Sequence, residues 1–241
     1  MSARERNVSR FEADVSERGA YVYSETDKLS CRLSNARMSD AIHAFARPKG
    51  RRVIDVGCGD GVYTLELVAA GASEVLGVDA AERAVESARE RCATHANVRF
   101  EAVDIYELSH DGEPFDVAVV RGMLHHLYDA PRAIERISAV AREVVVCEPN
   151  GYNPVLKVIE KTSPYHVAHE EKSYAPRTLD RWFEACGGRV VERDYIGLVP
   201  MFCPDVFART CKRLEALVES APGLRRIACG QYMQRVRTAL A

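Results

Sequence analysis

The sequence predicts an α/β fold, with an open, doubly wound and mostly parallel sheet of seven strands. Two observations support this class. Between residues 50 and 200, short β-branched runs alternate with segments whose apolar residues recur at helical spacing. Strands separated by helices pair in parallel through right-handed crossovers, which produces an open sheet covered on both faces. Hydrophobic residues make up 47% of the 241 residues, enough for a sizeable core.

Each element is indicated by a short run of sequence. The seven predicted strands are, in order, RRVIDVG, EVLGVDA, VRFEAVDI, FDVAVVRG, EVVVCEPN, RVVERDYIGL and GQYMQRVR. The helical segments between them are GVYTLELVAAG, AERAVESARERCATH, DAPRAIERISAVAR and APRTLDRWFEACGG. Asp129 is the expected N-cap of the third helix. Near the C-terminus, PDVFARTCKRLEALVES predicts an amphipathic helix that packs on the domain or against another subunit.

The alternation predicts a single domain over 1–241 with two additions. Residues 1–45 are expected to form a helical N-terminal cap, and 50–150 the ligand-binding core. Residues 151–175 form an insertion after the fifth strand, and 176–241 complete the sheet. Ligands of open α/β sheets lie beyond the carboxyl ends of the strands, so the cap and the insertion are both candidate lids.

Composition restricts the classes of partner. Lys and Arg number 33 against 35 Asp and Glu, for a net charge of -2, so no charge footprint for long nucleic acid is evident. The eight cysteines form no C-x-x-C pair, which disfavours a zinc site. The sequence has no apolar signal core at its start and no run long enough to span a membrane. We expect a reduced, cytoplasmic protein without a membrane partner.

The stretch VIDVGCGDG, residues 53–61, places three glycines between a strand and a helix. Glycine permits positive φ and close approach of a ligand to the backbone, although a tight turn alone would explain it. A dinucleotide site expects the third glycine at position 62, which is Val62, and a phosphate loop expects G-K-[ST], which does not follow. Asp55 and Asp60 instead favour a cationic ligand.

Carboxylates also end the next two strands. Asp79 ends the second predicted strand, the next strand after the glycine stretch, and can accept both hydroxyls of a ribose. Asp104 ends the third strand and can accept from an exocyclic adenine amine, with the backbone N–H of Ile105 facing a ring nitrogen. A lone Asp at a strand end is more often a turn or capping residue. A glycine turn and two acids at three successive strand ends form a more specific pattern.

With these motifs, and with VLGVDAA, VRFEAVDIYEL and FDVAVVRGMLHHLYD, the chain resembles the class I S-adenosylmethionine-dependent methyltransferases, in particular the small-molecule branch. The resemblance is good over 50–150 and looser to residue 198. It implies S-adenosylmethionine as cofactor and S-adenosylhomocysteine as product. The cofactor residues that it implies are Asp55, Gly57, Cys58 and Gly59 at the methionine, Asp79 at the ribose, and Asp104 and Ile105 at the adenine, with Ala80 as a further cofactor contact.

Two further residues are candidate cofactor contacts. Arg121 stands where the family commonly has a small or polar residue, so it either meets the cofactor carboxylate or an acidic acceptor, or points away. Tyr23 precedes the first strand, where related enzymes carry a segment that covers the cofactor, and an aromatic face favours a sulfonium cation. The alternative is that Tyr23 packs within the cap.

Methyl transfer requires an aligned nucleophile, and a general base if the acceptor is protonated. By resemblance, the turn after the fourth strand faces the reaction centre, so His125 is a candidate base and His126 a helix-packing residue. Glu148 and Asn150 end the fifth strand and are expected to face the same cleft. His166 in the insertion is a candidate acceptor contact. The predicted catalytic residues are therefore His125, Glu148 and His166.

A metal site is not predicted. The insertion contains HVAHEE, but this matches neither H-E-x-x-H nor H-x-x-E-H. A solvated or acceptor-lining lid is the preferred interpretation of His166, His169 and Glu170.

The resemblance implies transfer of a methyl group to a small-molecule acceptor at oxygen or nitrogen, with carbon as a third option, by a monomer or homodimer. Three alternatives stay open: an RNA or protein methyltransferase, a non-catalytic subunit that binds S-adenosylmethionine, and an aminopropyl transferase. The net charge disfavours the first, and the lack of paired acids for a polyamine disfavours the last.

Overall fold

The computed structural model describes residues 27–162 and 172–241. Within these ranges a seven-stranded sheet has the order β3-β2-β1-β4-β5-β7-β6. The strands are β1 Arg52–Val56, β2 Glu74–Asp79, β3 Val98–Ala102, β4 Phe115–Arg121, β5 Ala141–Pro149, β6 Arg189–Ile196 and β7 Gln231–Arg237. The helices are α1 Leu29–Ala46, α2 Val62–Ala69, α3 Glu82–Arg91, α4 Ala130–Ser138, α5 Pro154–Thr162, α6 Pro176–Ala185, α7 Asp205–Ser220 and α8 Pro222–Ala228. The predicted fold class is confirmed, since each predicted strand and helix has its counterpart.

The strand order puts the switch point of the sheet between β1 and β4. Strand β1 pairs in parallel with β2 on one side and with β4 on the other, and Ile54 stands opposite Leu76 of β2 and Ala118 of β4. Strand β7 is antiparallel to β5 and to β6, so it begins at the edge where the other strands end. The turns after β1 to β6 and the start of β7 therefore meet at one edge of the sheet.

The core lies on both faces of the sheet. In β1, Ile54 and Val56 belong to one apolar cluster and Val53 to the other, and all three are at most 1% exposed. Successive side chains of a strand point to opposite faces, so burial on both faces requires the uninterrupted apolar runs of β4, residues 117–120, and β5, residues 144–147. The first cluster is covered by α4 and α6, the second by α1.

The expected cap and lid are only partly within the described ranges. Helix α1 precedes β1 as expected, whereas Tyr23 lies outside the described residues. Helix α5 begins the insertion after β5, and His166, His169 and Glu170 lie outside the described residues as well. The division into cap, core and lid stays a prediction.

Two global features can be stated for the described part of the chain. None of its helices combines the length and apolar character needed to cross a lipid bilayer. All eight cysteines are free thiols, and most are buried in the core.

Candidate functional site

A cavity of about 480 Å³ opens at the carboxyl edge of the sheet, within the size range of small-molecule sites. Its walls come from the turns after β1, β2, β3 and β4. The sequence-predicted residues that line it are Asp55, Gly57, Cys58, Gly59, Asp79, Ala80, Asp104, Ile105, Arg121 and His125. The structure thus brings these strand-end residues together around one space.

The glycine turn after β1 is shaped by contacts within the protein. Gly57 and Gly61 have φ values of 76° and 78°, in the left-handed region that glycine adopts without strain. A Cβ at Gly57 would lie 2.8 Å from Cγ of Met123, and one at Gly61 would lie 2.9 Å from Cβ of Ala88. Backbone conformation and the neighbouring side chains therefore already require glycine at both positions, before any ligand is considered.

Asp79, at the end of β2, is fixed by the backbone. Its Oδ2 accepts the N–H of Gly59 at 3.0 Å and its Oδ1 accepts the N–H of Ala81 at 2.9 Å. Desolvation by burial raises the pKa of Asp79, and the backbone donors oppose that shift. Each carboxylate oxygen has a second lone pair, so this side chain can still accept from a ligand in the cavity that it lines.

Asp104 caps a short 3₁₀ turn, Ile105–Glu107, that follows β3. Its Oδ1 accepts the backbone N–H of Tyr106 at 2.9 Å. Asp104 therefore has the capping role that is usual for an Asp at the end of a strand. The same side chain and Ile105 also line the cavity, so capping positions the carboxylate at the cavity wall.

The two acids of the glycine turn differ in their partners. Asp55 is 4% exposed and accepts the hydroxyl of Thr64 at 2.6 Å. Burial raises the pKa of Asp55 to about 6, and the nearby charge of Arg121 opposes the shift. Asp60 is buried against Arg91, whose Nη2 lies 3.4 Å from its Oδ2. The charge of Asp60 is thus balanced within the protein, while Asp55 depends on the more distant Arg121.

Arg121, at the end of β4, joins the cavity wall to helix α1. Its guanidinium lies 3.4 Å from the ring centroid of Tyr63, in a cation–π stack. Its Nη1 donates to Oγ of Ser39 at 2.8 Å, and its Nη2 donates to the carbonyl of Asn35 at 3.1 Å. The side chain therefore lies in the wall of the cavity, oriented by helices α1 and α2.

His125 and Glu148 form a close pair at the other end of the cavity. The imidazole Nδ1 lies 2.7 Å from Oε2 of Glu148. The other oxygen, Oε1, accepts the backbone N–H groups of Met123 at 2.9 Å and Leu124 at 2.8 Å. The His126 ring is 3.8 Å from that of His125, centroid to centroid, so it packs against the candidate base.

The expectation that Glu148 and Asn150 face the cleft is wrong. Both are 0% exposed, and neither side chain lines the cavity. Glu148 is covered by the turn whose N–H groups it accepts. Asn150 instead donates to the carbonyls of Arg226 at 2.9 Å and Cys229 at 3.0 Å, which fastens α8 to the end of β5. Glu148 can act on a ligand only through His125.

Several lining residues were not found from the sequence. Tyr63 comes from α2, Leu156 and Ile159 from α5, Met201 and Phe202 from the loop after β6. The loop after β6 reaches the cavity because β7 is antiparallel and starts at the same edge. A signal existed for α5, whose apolar residues recur at helical spacing directly after a strand end. None existed for the loop before α7.

A metal is not indicated by the side chains that are described. Over 27–162 and 172–241, no group of three or more His, Cys, Asp and Glu side chains is arranged to hold an ion. The candidates His166 and Tyr23 fall outside these ranges.

Comparison with known proteins finds sequence relatives for the central part of the chain. Residues 53–144 match a family model described as a methyltransferase domain. The ubiquinone biosynthesis O-methyltransferase of Neisseria meningitidis serogroup C is 38% identical over 104 residues, covering 42% of this chain and 43% of that protein. The enzyme of the same name from Sinorhizobium fredii is 27% identical over 164 residues, covering 64% and 66%. This chain thus spans less than two thirds of either relative.

Solved structures match over nearly the whole chain at low identity. The magnesium protoporphyrin IX methyltransferase of Synechocystis, solved with S-adenosylmethionine, has a TM-score of 0.67 at 14% identity and covers 99% of this chain and 98% of that chain. The cyclase SpnF has a TM-score of 0.69 at 18% identity, covering 98% and 95%. Such likeness shows a shared fold, and the presence of a cyclase means that the fold alone does not assign a reaction.

Proposed function

We propose that this chain is a class I S-adenosylmethionine-dependent methyltransferase, similar in its central part to a methyltransferase family model and to curated methyltransferases, and that it transfers a methyl group from S-adenosylmethionine to a small-molecule acceptor. One observation carries the proposal. The acids at the ends of β2 and β3 line the same cavity as His125, which is itself bonded to the buried Glu148. A nucleoside-binding half and a proton-accepting half therefore share one space.

The residues present fit this cofactor. Asp79 would accept the ribose hydroxyls, and Asp104 with the N–H of Ile105 would receive the adenine. The methionine part would lie along Asp55 and the glycine turn. Burial raises the pKa of Asp55, so the positive charge of the ligand would stabilise its ionised carboxylate. Arg121 would hold the methionine carboxylate, because its guanidinium has five N–H donors. When bound, the cofactor supplies a methyl group on a positively charged sulfur that is already a good leaving group.

His125 is the proposed general base. An ionised Glu148 only accepts hydrogen bonds, so Nδ1 of His125 donates to it, and in this tautomer Nε2 carries the lone pair that can take a proton. Nε2 would take the proton of an acceptor hydroxyl while the oxygen forms its bond to the methyl carbon, and the bond from that carbon to sulfur would break to release S-adenosylhomocysteine. Glu148 then stabilises the imidazolium that results. Glu148 is a positioning residue, because it is fully buried and reaches the reaction only through the imidazole.

Oxygen is the favoured target of the reaction. A base is needed when the nucleophile carries a proton at working pH, as a hydroxyl does. Leu127, Leu156 and Ile159 make the acceptor side of the cavity largely apolar, and Lys172 stands at its edge. These residues favour a small, partly apolar acceptor with an acidic or hydroxyl group over a polymer.

Labelled methyl transfer tests the proposal. The protein is incubated with methyl-tritiated S-adenosylmethionine and a cell extract that has been separated into a small-molecule filtrate and retained RNA and protein. We expect label in the filtrate, lost in the His125→Ala variant. Calorimetry with S-adenosylhomocysteine should show binding to both proteins. Failure of the wild type to bind this product, or label found only in the retained fraction, would contradict the proposal.

A further inference from the structure

We propose that helices α5, α7 and α8 form a docking face for an anionic lipid bilayer. The apolar part of this face consists of residues that are exposed although large. They are Val155 and Val158 of α5, Phe207 and Leu217 of α7, and Leu224 and Ile227 of α8, each between 46% and 68% exposed. Apolar patches of this kind on a folded protein mark contact sites.

The three helices are joined at one side of the molecule. Helix α7 runs into α8 through Ala221, which ends one helix and caps the next. The end of α8 is fastened to the start of α5, because Nδ2 of Asn153 donates to the carbonyl of Ala228 at 3.2 Å. The guanidinium of Arg226 also lies 4.7 Å from the Tyr152 ring centroid. The exposed residues of these helices therefore belong to adjoining surfaces.

Acidic side chains of these helices are turned into the protein. Glu215 is 4% exposed and accepts the N–H of Leu198 at 3.1 Å. Glu219 accepts from Arg37 at 2.9 Å, and Glu160 accepts the N–H of Ser173 at 2.9 Å. Each acid has a donor in a neighbouring element, so its charge is withdrawn from the surface.

Cationic side chains of the same helices point outward. Arg209 and Arg213 of α7, Lys161 of α5 and Arg226 of α8 are all exposed. Asp205 is the single exposed acid of these three helices, all of which are fully described. The face is therefore apolar and positive, although the whole chain has a net charge of -2.

This combination selects an anionic bilayer over a second copy of the chain. Two identical faces packed together would oppose cations with cations, which is unfavourable. A surface helix that presents apolar side chains among Lys and Arg suits the boundary between headgroups and acyl chains. Each Lys or Arg near an anionic membrane contributes on the order of 1 kcal/mol, or about fivefold in binding. The apolar residues then add the contribution of their burial.

The cavity opens beside this face. Leu156 and Ile159, on the side of α5 next to Val155 and Val158, line the cavity. Phe202, which precedes α7, both lines it and is 40% exposed. A protein docked through these helices would hold the cavity mouth next to the bilayer. The docking face does not depend on which reaction the cavity supports.

Co-sedimentation of the full chain with lipid vesicles tests the inference. We expect binding to vesicles of phosphatidylcholine with phosphatidylglycerol, weakened by added salt, and much weaker binding to phosphatidylcholine alone. The double variant Arg209→Gln/Arg213→Gln should bind about twenty-fivefold more weakly, from about fivefold for each cation. Leu217→Gln/Ile227→Gln should lose roughly tenfold or more.

A matched control uses exposed cations on other surfaces. Lys49→Gln/Arg83→Gln removes the same charge from outside the three helices, and its vesicle binding should equal that of wild type apart from the small effect of net charge. All variants should keep wild-type affinity for S-adenosylhomocysteine, which separates loss of docking from damage to the cavity. Three results would overturn the inference: no wild-type binding to anionic vesicles, equal losses in the control, or a wild-type dimer that Leu217→Gln/Ile227→Gln converts to monomer without any vesicle binding.

Discussion

The two ends of the cavity are built in different ways. At the nucleoside end, Asp79 and Asp104 each accept the backbone N–H of the residue two positions further along the chain. Asp79 also accepts the N–H of Gly59 in the glycine turn. At the acceptor end, Glu148 of β5 holds a turn that follows β4, more than twenty residues earlier in the chain. Two of the three bonds at the first end are local, with the bond from Gly59 to Asp79 as the exception, whereas those at the second end depend on the pairing of β4 with β5.

The buried acids Asp55 and Glu148 differ in how many hydrogen-bond donors their carboxylates have. Asp55 has one neutral donor, the Thr64 hydroxyl, and burial raises its pKa to about 6. Glu148 accepts two backbone N–H groups at less than 3 Å and the imidazole of His125. A buried carboxylate is destabilising unless donors satisfy it. The charge of Asp55, where a cationic ligand is proposed, is thus stabilised by few donors. The charge of Glu148, which positions the proposed base, is stabilised by several.

Loss of the proposed base should give the largest effect. We expect His125→Ala to lower kcat by about 10²- to 10⁴-fold, the usual contribution of a general base. Its affinity for S-adenosylhomocysteine should stay unchanged, because the nucleoside end is separate. Glu148→Gln is the matched variant, since it keeps the size of the side chain but offers an amide to Nδ1, and kcat should again fall. Normal turnover in both variants would remove His125 from the mechanism.

The raised pKa of Asp55 should make the free energy of unfolding depend on pH. Its folded pKa of about 6 lies above the ordinary value of 3.8, so the folded state holds a proton between these pH values when the unfolded state does not. The contribution of Asp55 to the free energy of unfolding therefore falls as pH rises from about 4 to 6, by up to about 3 kcal/mol. Urea denaturation of wild type and Asp55→Asn at pH 4 and pH 7 measures this difference. Parallel pH profiles would contradict it.

Removal of the ribose acceptor should affect binding rather than chemistry. Asp79→Ala should weaken S-adenosylhomocysteine binding by about 10- to 100-fold, because hydrogen bonds to a charged group contribute roughly 1.5–3 kcal/mol. Asp129→Ala is the control, since Asp129 likewise accepts a backbone N–H with its carboxylate, that of Arg132, but does not line the cavity. Calorimetry that finds equal affinities for Asp79→Ala and wild type would reject the ribose assignment.

The smallest expected effect concerns the stack beneath Arg121. Tyr63→Leu keeps an apolar side chain but removes the aromatic face that lies 3.4 Å from the guanidinium. A cation–π contact of about 0.5–1 kcal/mol corresponds to a two- to fivefold weakening of cofactor binding. Fluorescence titration would measure it. An unchanged affinity would indicate that Ser39 and Asn35 suffice to orient Arg121.

The same contrast explains what the sequence could predict. Alternation of strands and helices, and carboxylates at strand ends, are local patterns, so the sheet and the positions of Asp79 and Asp104 could be inferred. The orientation of Glu148 could not, because it depends on the register in which Arg121 of β4 pairs with Cys147 of β5. Met201 and Phe202 were missed because an irregular loop has no periodicity that reports its position.

The order of strands also bears on synthesis of the chain by the ribosome. Strand β6 pairs with β7 alone, and β7 lies between β5 and β6 although it is translated last of the three. Until β7 emerges, the edges of β5 and β6 that it will cover are both unpaired, and exposed edges are templates for aggregation. Helices α7 and α8, translated between β6 and β7, lengthen that interval. Truncation before residue 231 should therefore yield a product that aggregates.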